Sequence, residues 1–354
     1  MNKIITLFLF FTTVIPAQSV TTKQIVDLRG NWKFEIGDQE KFSDPKFDDS
    51  KWEEIFVPEV WENEGYPGYD GYAWYRKKFT VPASAQGKNL YFHGGYIDDA
   101  CVIYINGHRI GGKGTFPPNC ETAYDQEEIF LIPNKFLIFN QENVVAIRVY
   151  DSFRYGGITR GKVGVFEYSD ELKFVIHFPE LWKFKTGDNE QWSNPALDDS
   201  KWQELIAETM WDYQGFEKYD GFAWYRVSFD VPQNIQDEKL FLMLGKIDDI
   251  DEAYINGVRI GNTGTIGGSR WIDRIREEYQ EVRVYRIPSS TIKSNQKNVL
   301  AVRVYDKMKF GGFNEGPIGV MTEKEYRDWE RKQWRENRND KSTLDRFLEK
   351  IFNE

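Results

Sequence analysis

Cysteine, histidine and long apolar runs are scarce in this chain of 354 residues. Two cysteines are too few for a disulfide-stapled scaffold, and the three histidines, His93, His108 and His177, show no metal-ligand or catalytic-triad spacing. Beyond an apolar run near the start, no segment approaches the ~20 apolar residues that a membrane-spanning helix needs. Gly-x-Ser-x-Gly, His-Glu-x-x-His and phosphate-loop motifs are also absent, so no catalytic residue is predicted.

Positive charge is in deficit as well. The chain has 46 Lys and Arg against 56 Asp and Glu, which gives a net charge of −10. Nucleic acids and anionic membranes select basic protein faces. We therefore expect neither nucleic acid nor a membrane surface as a partner.

The first residues have the features of a secretory signal peptide. Met1-Asn2-Lys3 provides a basic start, residues 4–15 are largely apolar, and Pro16-Ala17-Gln18 supplies a small residue at the cleavage region. We predict that residues 1–17 are removed and that the mature protein is secreted or periplasmic.

One eight-residue motif occurs twice. Tyr69 to Arg76 (YDGYAWYR) returns as Tyr219 to Arg226 (YDGFAWYR), 150 residues later. With the same offset, residues 32–111 and 182–261 align without a gap, and 39 of their 80 positions are identical. We interpret the chain as a tandem duplication.

The local patterns within each repeat are those of strands. Asn106-Gly107 and Asn256-Gly257 each separate two runs rich in β-forming residues, a pattern typical of a tight hairpin. Short strands with Gly, Pro and Asn between them indicate an all-β protein of two sandwiches. The predicted domains are residues 21–170 and 171–321, followed by a charged helical tail over residues 322–354.

Two segments of the tail have the form that opens helices, namely Thr322 to Glu325 and Ser342 to Asp345. Apolar residues of the second segment share one helical face: Leu344, Phe347, Leu348, Ile351 and Phe352. We expect a helix docked on the second sandwich. The alternative is a helix that binds a protein partner.

The two cysteines, Cys101 and Cys120, both lie in the first repeat, and the position equivalent to Cys101 is Asp251. Export permits a disulfide, which by closing a loop of about 20 residues would contribute roughly 3 kcal/mol. We predict that the cysteines pair, with two unpaired thiols as the alternative.

Aromatic residues in the loops point to carbohydrate binding. Trp32, Trp52 and Trp74 fit sandwich packing, whereas Trp61 and Trp211 precede loops rich in Gly and aromatic residues, where an indole could face a sugar ring. Two later loops each combine an acid, a base, an aromatic residue and Gly-Gly. The predicted carbohydrate-binding residues are Trp61, Tyr69, Asp70, Asp151, Arg154 and Tyr155 in the first repeat and Trp211, Tyr219, Asp220, Asp306, Lys309 and Phe310 in the second.

Paired aspartates recur at Asp98-Asp99 and Asp248-Asp249. Their simplest role is turn closure, with carboxylates accepting backbone N–H groups. Contacts to sugar hydroxyls, or to a hard cation such as Ca²⁺, are the alternatives. No calcium-loop motif is present, so we expect no cofactor, with a structural Ca²⁺ as the alternative.

Taken together, these motifs resemble one known module. The series Asp-Asp-Ser-x-Trp, Asp-Gly-x-Ala-Trp-Tyr-Arg, Ile-Asp-Asp, Tyr-Ile-Asn-Gly-x-Arg-Ile-Gly, Ala-x-Arg-Val-Tyr-Asp and Gly-Gly is similar to the galactose-binding-like jelly-roll domain of family 2 glycoside hydrolases (β-galactosidase type) and of sialate O-acetylesterases. The resemblance covers residues 26–168 and 176–320 and implies two tandem jelly rolls. In those enzymes the module accompanies a catalytic domain, whose motifs are not found here.

The sequence therefore favours an exported, non-catalytic protein that binds a glycan or oligosaccharide. One alternative is a glycoside hydrolase or sialate O-acetylesterase-type enzyme with its site between the repeats. Another is an accessory scaffold subunit of a polysaccharide-degrading enzyme.

Overall fold

A computed structural model describes residues 21–169, 172–235 and 238–335. The predicted signal peptide, residues 1–17, and the apolar helical face at residues 344–352 lie outside this range. The described residues form an all-β protein with two sandwiches, residues 21–169 and 172–322, and one C-terminal α-helix.

The first sandwich consists of a six-stranded and a four-stranded antiparallel sheet. Its strands are β1 (Thr21–Asp27), β2 (Gly30–Ile36), β3 (Glu53–Val57), β4 (Gly71–Thr80), β5 (Leu90–Ile97), β6 (Ala100–Ile105), β7 (His108–Lys113), β8 (Glu127–Leu131), β9 (Glu142–Asp151) and β10 (Ile158–Ser169). The six-stranded sheet has the order β3-β2-β4-β9-β6-β7, and the four-stranded sheet has the order β1-β10-β5-β8.

The second sandwich repeats this topology. Its strands are β11 (Leu181–Thr186), β12 (Gln203–Ile206), β13 (Gly221–Asp230), β14 (Leu240–Asp248), β15 (Ile250–Ile255), β16 (Val258–Thr263), β17 (Val282–Ile287), β18 (Lys297–Asp306) and β19 (Gly312–Thr322). The sheet orders are β12-β11-β13-β18-β15-β16 and β17-β14-β19. In place of a β1 equivalent, a single bridge joins Ile176 to Val320.

Short 3₁₀ helices occur in the connections. They cover Glu40–Ser43, Trp61–Glu64, Ala83–Ala85 and Asn134–Phe136 in the first sandwich and Glu190–Ser193, Trp211–Gln214, Gln233–Ile235, Ile272–Arg274, Glu278–Gln280 and Ser289–Thr291 in the second.

Both predicted hairpins are confirmed. Asn106-Gly107 joins β6 to β7 with φ values of 49° and 80°, and Asn256-Gly257 joins β15 to β16 with φ values of 51° and 83°. Positive φ at both central residues is the conformation that Asn-Gly tolerates and that matches the twist of paired strands.

The core of each sandwich lies between its sheets, and a second aromatic layer covers the outer face of the six-stranded sheet. In the first sandwich Phe42, Trp52 and Trp74 form this layer. The buried guanidinium of Arg76 anchors the covering loop, because its Nε lies 2.8 Å from an Asp49 carboxylate oxygen and its Nη1 donates to the Phe42 carbonyl. The packing role expected for Trp32, Trp52 and Trp74 is confirmed, since each is at most 7% exposed.

The two sandwiches contact each other directly. Ile206 of the second packs into the core of the first. The Asn134 amide donates to Glu180 at 2.8 Å, and the Tyr91 hydroxyl donates to Glu208 at 3.0 Å. Arg109 of β7 forms an ion pair with Glu217. The loop between β12 and β13 of the second sandwich therefore packs against the first sandwich. The equivalent loop of the first sandwich, between β3 and β4, is exposed at these positions.

The helix that opens at Thr322 packs on the second sandwich. It covers residues 323–335, and the Thr322 hydroxyl accepts the Glu325 backbone N–H at 3.4 Å. The Tyr326 ring stacks on Phe241 with centroids 4.3 Å apart, and Trp329 joins the same apolar cluster. This agrees with the docked helix for the described part of the tail. Within that part of the chain, no helix is long and apolar enough to cross a membrane.

The predicted disulfide is wrong, since both cysteines are free. Cys101 is 1% exposed and belongs to the core, whereas Cys120 is exposed in the loop between β7 and β8. The Cys120 thiol lies beside the Tyr150 hydroxyl instead.

One buried polar pair differs between the sandwiches. In the second, Arg283 on β17 forms an ion pair with Asp251 on β15, with Nε 2.9 Å from Oδ1 and both side chains 0% exposed. The equivalent positions in the first sandwich are Glu128 and Cys101. The Cys101 thiol lies beside the Glu128 carboxyl, and burial raises the pKa of Glu128 to about 8. The second core thus holds a salt bridge where the first holds a protonated acid and a thiol.

This difference predicts unequal effects of two substitutions. Arg283→Met leaves the Asp251 carboxylate buried without its cation, which we expect to lower the free energy of unfolding by about 3–5 kcal/mol. The control Glu128→Gln replaces a neutral acid with a neutral amide of similar shape and should cost less than about 1 kcal/mol at neutral pH. Urea denaturation measures both. Equal losses would contradict the assignment.

The Glu128 carboxyl also predicts a pH dependence of stability. Its pKa is about 8 in the folded chain and ~4.3 in an unfolded chain. Between these values the folded state retains a proton that the unfolded state has lost, so this stability is complete below about pH 4 and declines as pH rises toward about 8. Glu128→Gln abolishes the decline. Its stability relative to the parent protein should therefore improve from about pH 5 to about pH 8 in urea titrations; a constant difference would argue against a buried protonated acid.

Candidate functional site

Three segments converge at one end of the first sandwich. They are the β5–β6 turn with Asp98 and Asp99, the loop 152–157 after β9, and residues 69–70 before β4. Asp99 accepts the Ser152 backbone N–H at 2.7 Å, and the Asp98 backbone N–H donates to the Gly157 carbonyl at 3.0 Å. We call this surface the loop end of the first sandwich. The loop end of the second is built alike from Asp248-Asp249, residues 307–312 and residues 219–220.

The expectation that Trp61 and Trp211 lie exposed on a loop rim is wrong. Both are 0% exposed. Each indole N–H donates to a main-chain carbonyl eight residues on, at Tyr69 and Tyr219, at 3.1 Å. These hydrogen bonds and the surrounding core explain the burial, and neither indole can face a sugar.

In each sandwich the Gly-Gly pair makes room for the buried tryptophan rather than for a ligand. A Cβ on Gly156 would lie 2.2 Å from the Trp61 ring, and a Cβ on Gly311 would lie 2.2 Å from the Trp211 ring. The backbone of each loop therefore lies directly on the indole. The Trp61 backbone N–H donates to the Gly156 carbonyl at 3.1 Å, which fixes the loop after β9 to the loop before β4.

Tyr69 and Tyr219 are partly buried and hold the chain entering the central strand. The Tyr69 hydroxyl donates to the Tyr72 carbonyl at 2.8 Å, and Tyr219 makes the same contact to Phe222. Each ring also lies edge-on to the tryptophan. Their hydroxyls are occupied by the fold, which leaves them little to offer a ligand.

Asp151 and Asp306 end the two β9-type strands and are 0% exposed. One oxygen of each accepts a backbone N–H, from Phe153 and Met308 respectively. The other oxygen, Oδ2, is buried with no hydrogen-bond partner among the described residues. Burial, and to a lesser extent the charges of the paired aspartates nearby, raise the pKa of Asp151 to about 7 and that of Asp306 to about 8.

Other carboxyls at the loop ends have raised pKa values for the same reasons. Burial and the adjacent Asp99 raise the pKa of Asp98 to about 6, and burial with Asp249 raises that of Asp248 to about 8. The turn-closing role expected of the paired aspartates is observed at Asp99, and at Asp249 through the Lys307 backbone N–H at 2.8 Å.

The remaining predicted residues differ between the two loop ends. In the first sandwich Asp70 and Arg154 are exposed and Tyr155 is 62% exposed. Asp220, the counterpart of Asp70, is exposed as well.

Lys309 and Phe310, the counterparts of Arg154 and Tyr155, are engaged by protein. Lys309 forms an ion pair with Glu121 of the first sandwich at 2.9 Å, and Phe310 stacks on Tyr213 with centroids 5.4 Å apart. Tyr213 in turn lies against Gly112 of β7. The second loop end therefore contributes to the junction, and the first loop end is open.

Several aromatic residues at this end were not predicted. Phe153 is 67% exposed beside Tyr155. On the adjoining sheet face, Phe116 stacks on Tyr72 with centroids 5.9 Å apart, and the Arg148 guanidinium lies 4.2 Å from the Phe116 centroid. Phe222, Trp271 and Arg303 repeat this group in the second sandwich. Alternation along β4 places Tyr72 on the outer face and could have indicated it, whereas the loop residues Phe116 and Trp271 carry no such signal.

A site between the sandwiches was one sequence-based alternative. A groove does run along the junction, and its carboxylates are Glu180 and Glu208. Both are used to join the sandwiches, through Asn134 and Tyr91 respectively. The geometry gives neither one a catalytic role.

Comparison with known proteins agrees with the resemblance drawn from the motifs. Residues 186–309 match the family described as "Beta-galactosidase second all-beta domain". Over 146 residues the chain is 28% identical to the beta-galactosidase BoGH2A of Bacteroides ovatus, a match covering 37% of this chain and 16% of that protein. Over 151 residues it is 26% identical to a beta-glucuronidase of Formosa agariphila, covering 39% of this chain and 14% of that protein.

Among solved structures, a beta-glucuronidase of Bacteroides uniformis covers 80% of this chain with 27% of its own length, at 19% identity and a TM-score of 0.34. That score is too low to support a functional comparison. The sequence matches show that the chain contains a β-domain of the family 2 glycoside hydrolase type. Each match spans about one sixth of the curated relative or less.

The buried tryptophan predicts a loss of stability and not of a surface contact. Trp61→Ala should lower the free energy of unfolding by about 3–5 kcal/mol, because it opens a cavity under the loop end. The control Tyr155→Ala, at an exposed position of the same loop, should change it by less than about 0.5 kcal/mol. Chemical denaturation followed by tyrosine and tryptophan fluorescence distinguishes them. A negligible loss for Trp61→Ala would show that the indole is not packed as described.

Proposed function

We propose that this chain, which contains a β-domain of the family 2 glycoside hydrolase type, is an exported, non-catalytic carbohydrate-binding protein. The binding surface is the loop end of the first sandwich. The observation that carries the proposal is the exposure of Phe153 and Tyr155, at 67% and 62%, at the same loop end as the carboxylates of Asp70 and Asp98. Apolar rings beside hydrogen-bond acceptors suit the two sides of a sugar, its C–H face and its hydroxyls.

Charge favours a neutral glycan. Asp70, Asp98 and Asp99 lie together at this loop end, and the whole chain has a net charge of −10. Carboxylates accept hydrogen bonds from sugar hydroxyls but repel a uronate. The named relatives are a beta-galactosidase and beta-glucuronidases, so galactose-terminated and glucuronate-terminated oligosaccharides are the natural pair of probes. We expect the galactose-terminated glycan to bind more tightly.

Binding should depend on the exposed rings of the first sandwich. A shallow site of this kind typically has a Kd near 1 mM, about −4 kcal/mol. The double substitution Phe153→Ala/Tyr155→Ala should weaken binding at least about tenfold, which corresponds to ~1.4 kcal/mol. Met308→Ala, at the position equivalent to Phe153 and 57% exposed, is the matched control and should bind like the parent. Affinity gel electrophoresis and calorimetry measure the effect.

A turnover assay on the purified protein tests the absence of catalysis. Purified protein should not hydrolyse aryl glycosides or acetylated sugars. Turnover that disappears on substitution of one carboxylate would replace this proposal with the hydrolase alternative.

In the binding experiment, unchanged glycan retention in the Phe153→Ala/Tyr155→Ala variant would remove the first loop end as the binding surface.

A scaffold role is the second candidate, and one observation favours it. In the second sandwich, the equivalent loop end contacts protein through Lys309 on Glu121 and through Phe310, which stacks on Tyr213. A loop end of this type can therefore serve as a protein interface. If no glycan binds and a partner enzyme retained by the parent protein is lost from the Phe153→Ala/Tyr155→Ala variant, the scaffold function replaces carbohydrate binding.

A further inference from the structure

Three carboxylates meet at the loop end of the second sandwich. Asp248 ends β14, Asp249 follows it in the turn, and Asp306 ends β18. One oxygen from each lies within 4.8 Å of the others. Strands that are distant in sequence thus bring three hard oxygen ligands to one point.

Asp306 provides an independent indication of a ligand. Its side chain is 0% exposed, and its Oδ1 accepts the Met308 backbone N–H at 3.0 Å. Its Oδ2 is buried and has no hydrogen-bond partner among the described residues. A buried carboxylate oxygen is normally matched by a donor or a cation, since leaving it unmatched is costly.

Protein cations do not neutralise this group. None of the ion pairs observed in the described residues includes Asp248, Asp249 or Asp306. Arg283, whose charge acts on Asp248, is hydrogen-bonded to the Asp251 carboxylate and to main-chain carbonyls, among them those of Ile247 and Asp249. The three carboxylates therefore lie together without an ion-pair partner among the described residues.

We propose that Asp248, Asp249 and Asp306 form a binding site for Ca²⁺. Calcium takes oxygen ligands at about 2.3–2.6 Å, so ligands on opposite sides of the ion stand about 4.8 Å apart. Oxygens within 4.8 Å of one another can all contact one such ion. Magnesium keeps several waters and is usually bound through one or two carboxylates, so a group of three protein carboxylates favours calcium. Zinc prefers nitrogen and sulfur ligands, which this group does not contain.

The position of the site gives the ion a structural role. Asp306 begins the loop 306–312, and Asp249 holds that loop through the Lys307 backbone N–H. Lys309 in the same loop forms the ion pair with Glu121 across the junction. A cation joining the β14 turn to the end of β18 would fix this loop and, through it, the contact between the sandwiches.

The first sandwich contains an internal control. Asp98, Asp99 and Asp151 occupy the equivalent positions in the sequence. Within the described residues, however, the three-carboxylate group with convergent oxygens is found in the second sandwich only. The same residue types in the same fold are thus predicted to differ in calcium binding because of their geometry.

The test is calorimetric titration of the full chain with Ca²⁺ after chelator treatment, with Mg²⁺ in a parallel titration. One Ca²⁺ per chain should bind with a Kd of ~10⁻⁴–10⁻³ M, the range of extracellular modules, and with Mg²⁺ at least about tenfold weaker. Asp248→Asn should weaken Ca²⁺ binding at least about tenfold, whereas Asp98→Asn should not change it.

The outcomes are decisive in either direction. No heat of binding and no rise in melting temperature at about 10 mM Ca²⁺, well above that Kd range, would overturn the proposal from the parent protein alone. Equal affinity in the parent and in a folded Asp248→Asn variant would also overturn it, as would loss of binding in Asp98→Asn alone. Near-UV circular dichroism establishes that each variant is folded.

Discussion

The contact between a buried indole and a glycine backbone determines the shape of both loop ends. Trp61 lies under Gly156, and Trp211 lies under Gly311, so closely that neither glycine could carry a Cβ. The contact joins the segment before β4 or β13 to the loop after β9 or β18. It thereby fixes the positions from which the acidic and aromatic side chains of these loops project. The carboxylates and exposed rings of the loop end have defined positions because this contact constrains the backbone of the loop.

On this common frame the two sandwiches make different contacts at equivalent positions. In the second, the loop residues Lys309 and Phe310 are drawn into protein contacts, and the aspartates converge. In the first, Phe153 and Tyr155 remain exposed. The cores diverge in the same way, since a buried ion pair of Arg283 and Asp251 stands where the first sandwich has Glu128 and Cys101. Identical strand order is thus compatible with different chemistry at equivalent points.

Local signals in the sequence predicted the fold well. The Asn-Gly turns require positive φ at two successive residues, and few alternatives to a hairpin satisfy that demand. Trp32, Trp52 and Trp74 were placed in the core from their strand context, and the structure agrees. The all-β class follows from the same alternation of polar and apolar residues.

The site was less predictable, because burial depends on contacts between distant segments. Trp61 precedes a loop in the sequence, yet the loop after β9, about 95 residues later, covers it. The pairing of cysteines was inferred from the predicted export of the chain, whereas strand alternation turns Cys101 into the core and Cys120 lies exposed in a loop. Phe116 and Trp271 approach the sheet from loops of unequal length, which no local pattern records.

The junction has a direction. It joins unlike surfaces, the loop between β12 and β13 of the second sandwich and the edge strand β7 of the first, through Tyr213 on Gly112 and Arg109 on Glu217. A contact between unlike surfaces does not have twofold symmetry. In a pair of similar sandwiches it therefore leaves one copy of each surface unused. Within the described residues, the surfaces not used in this contact are the loop between β3 and β4 of the first sandwich and the edge strand β16 of the second. The two sandwiches therefore present different unused surfaces.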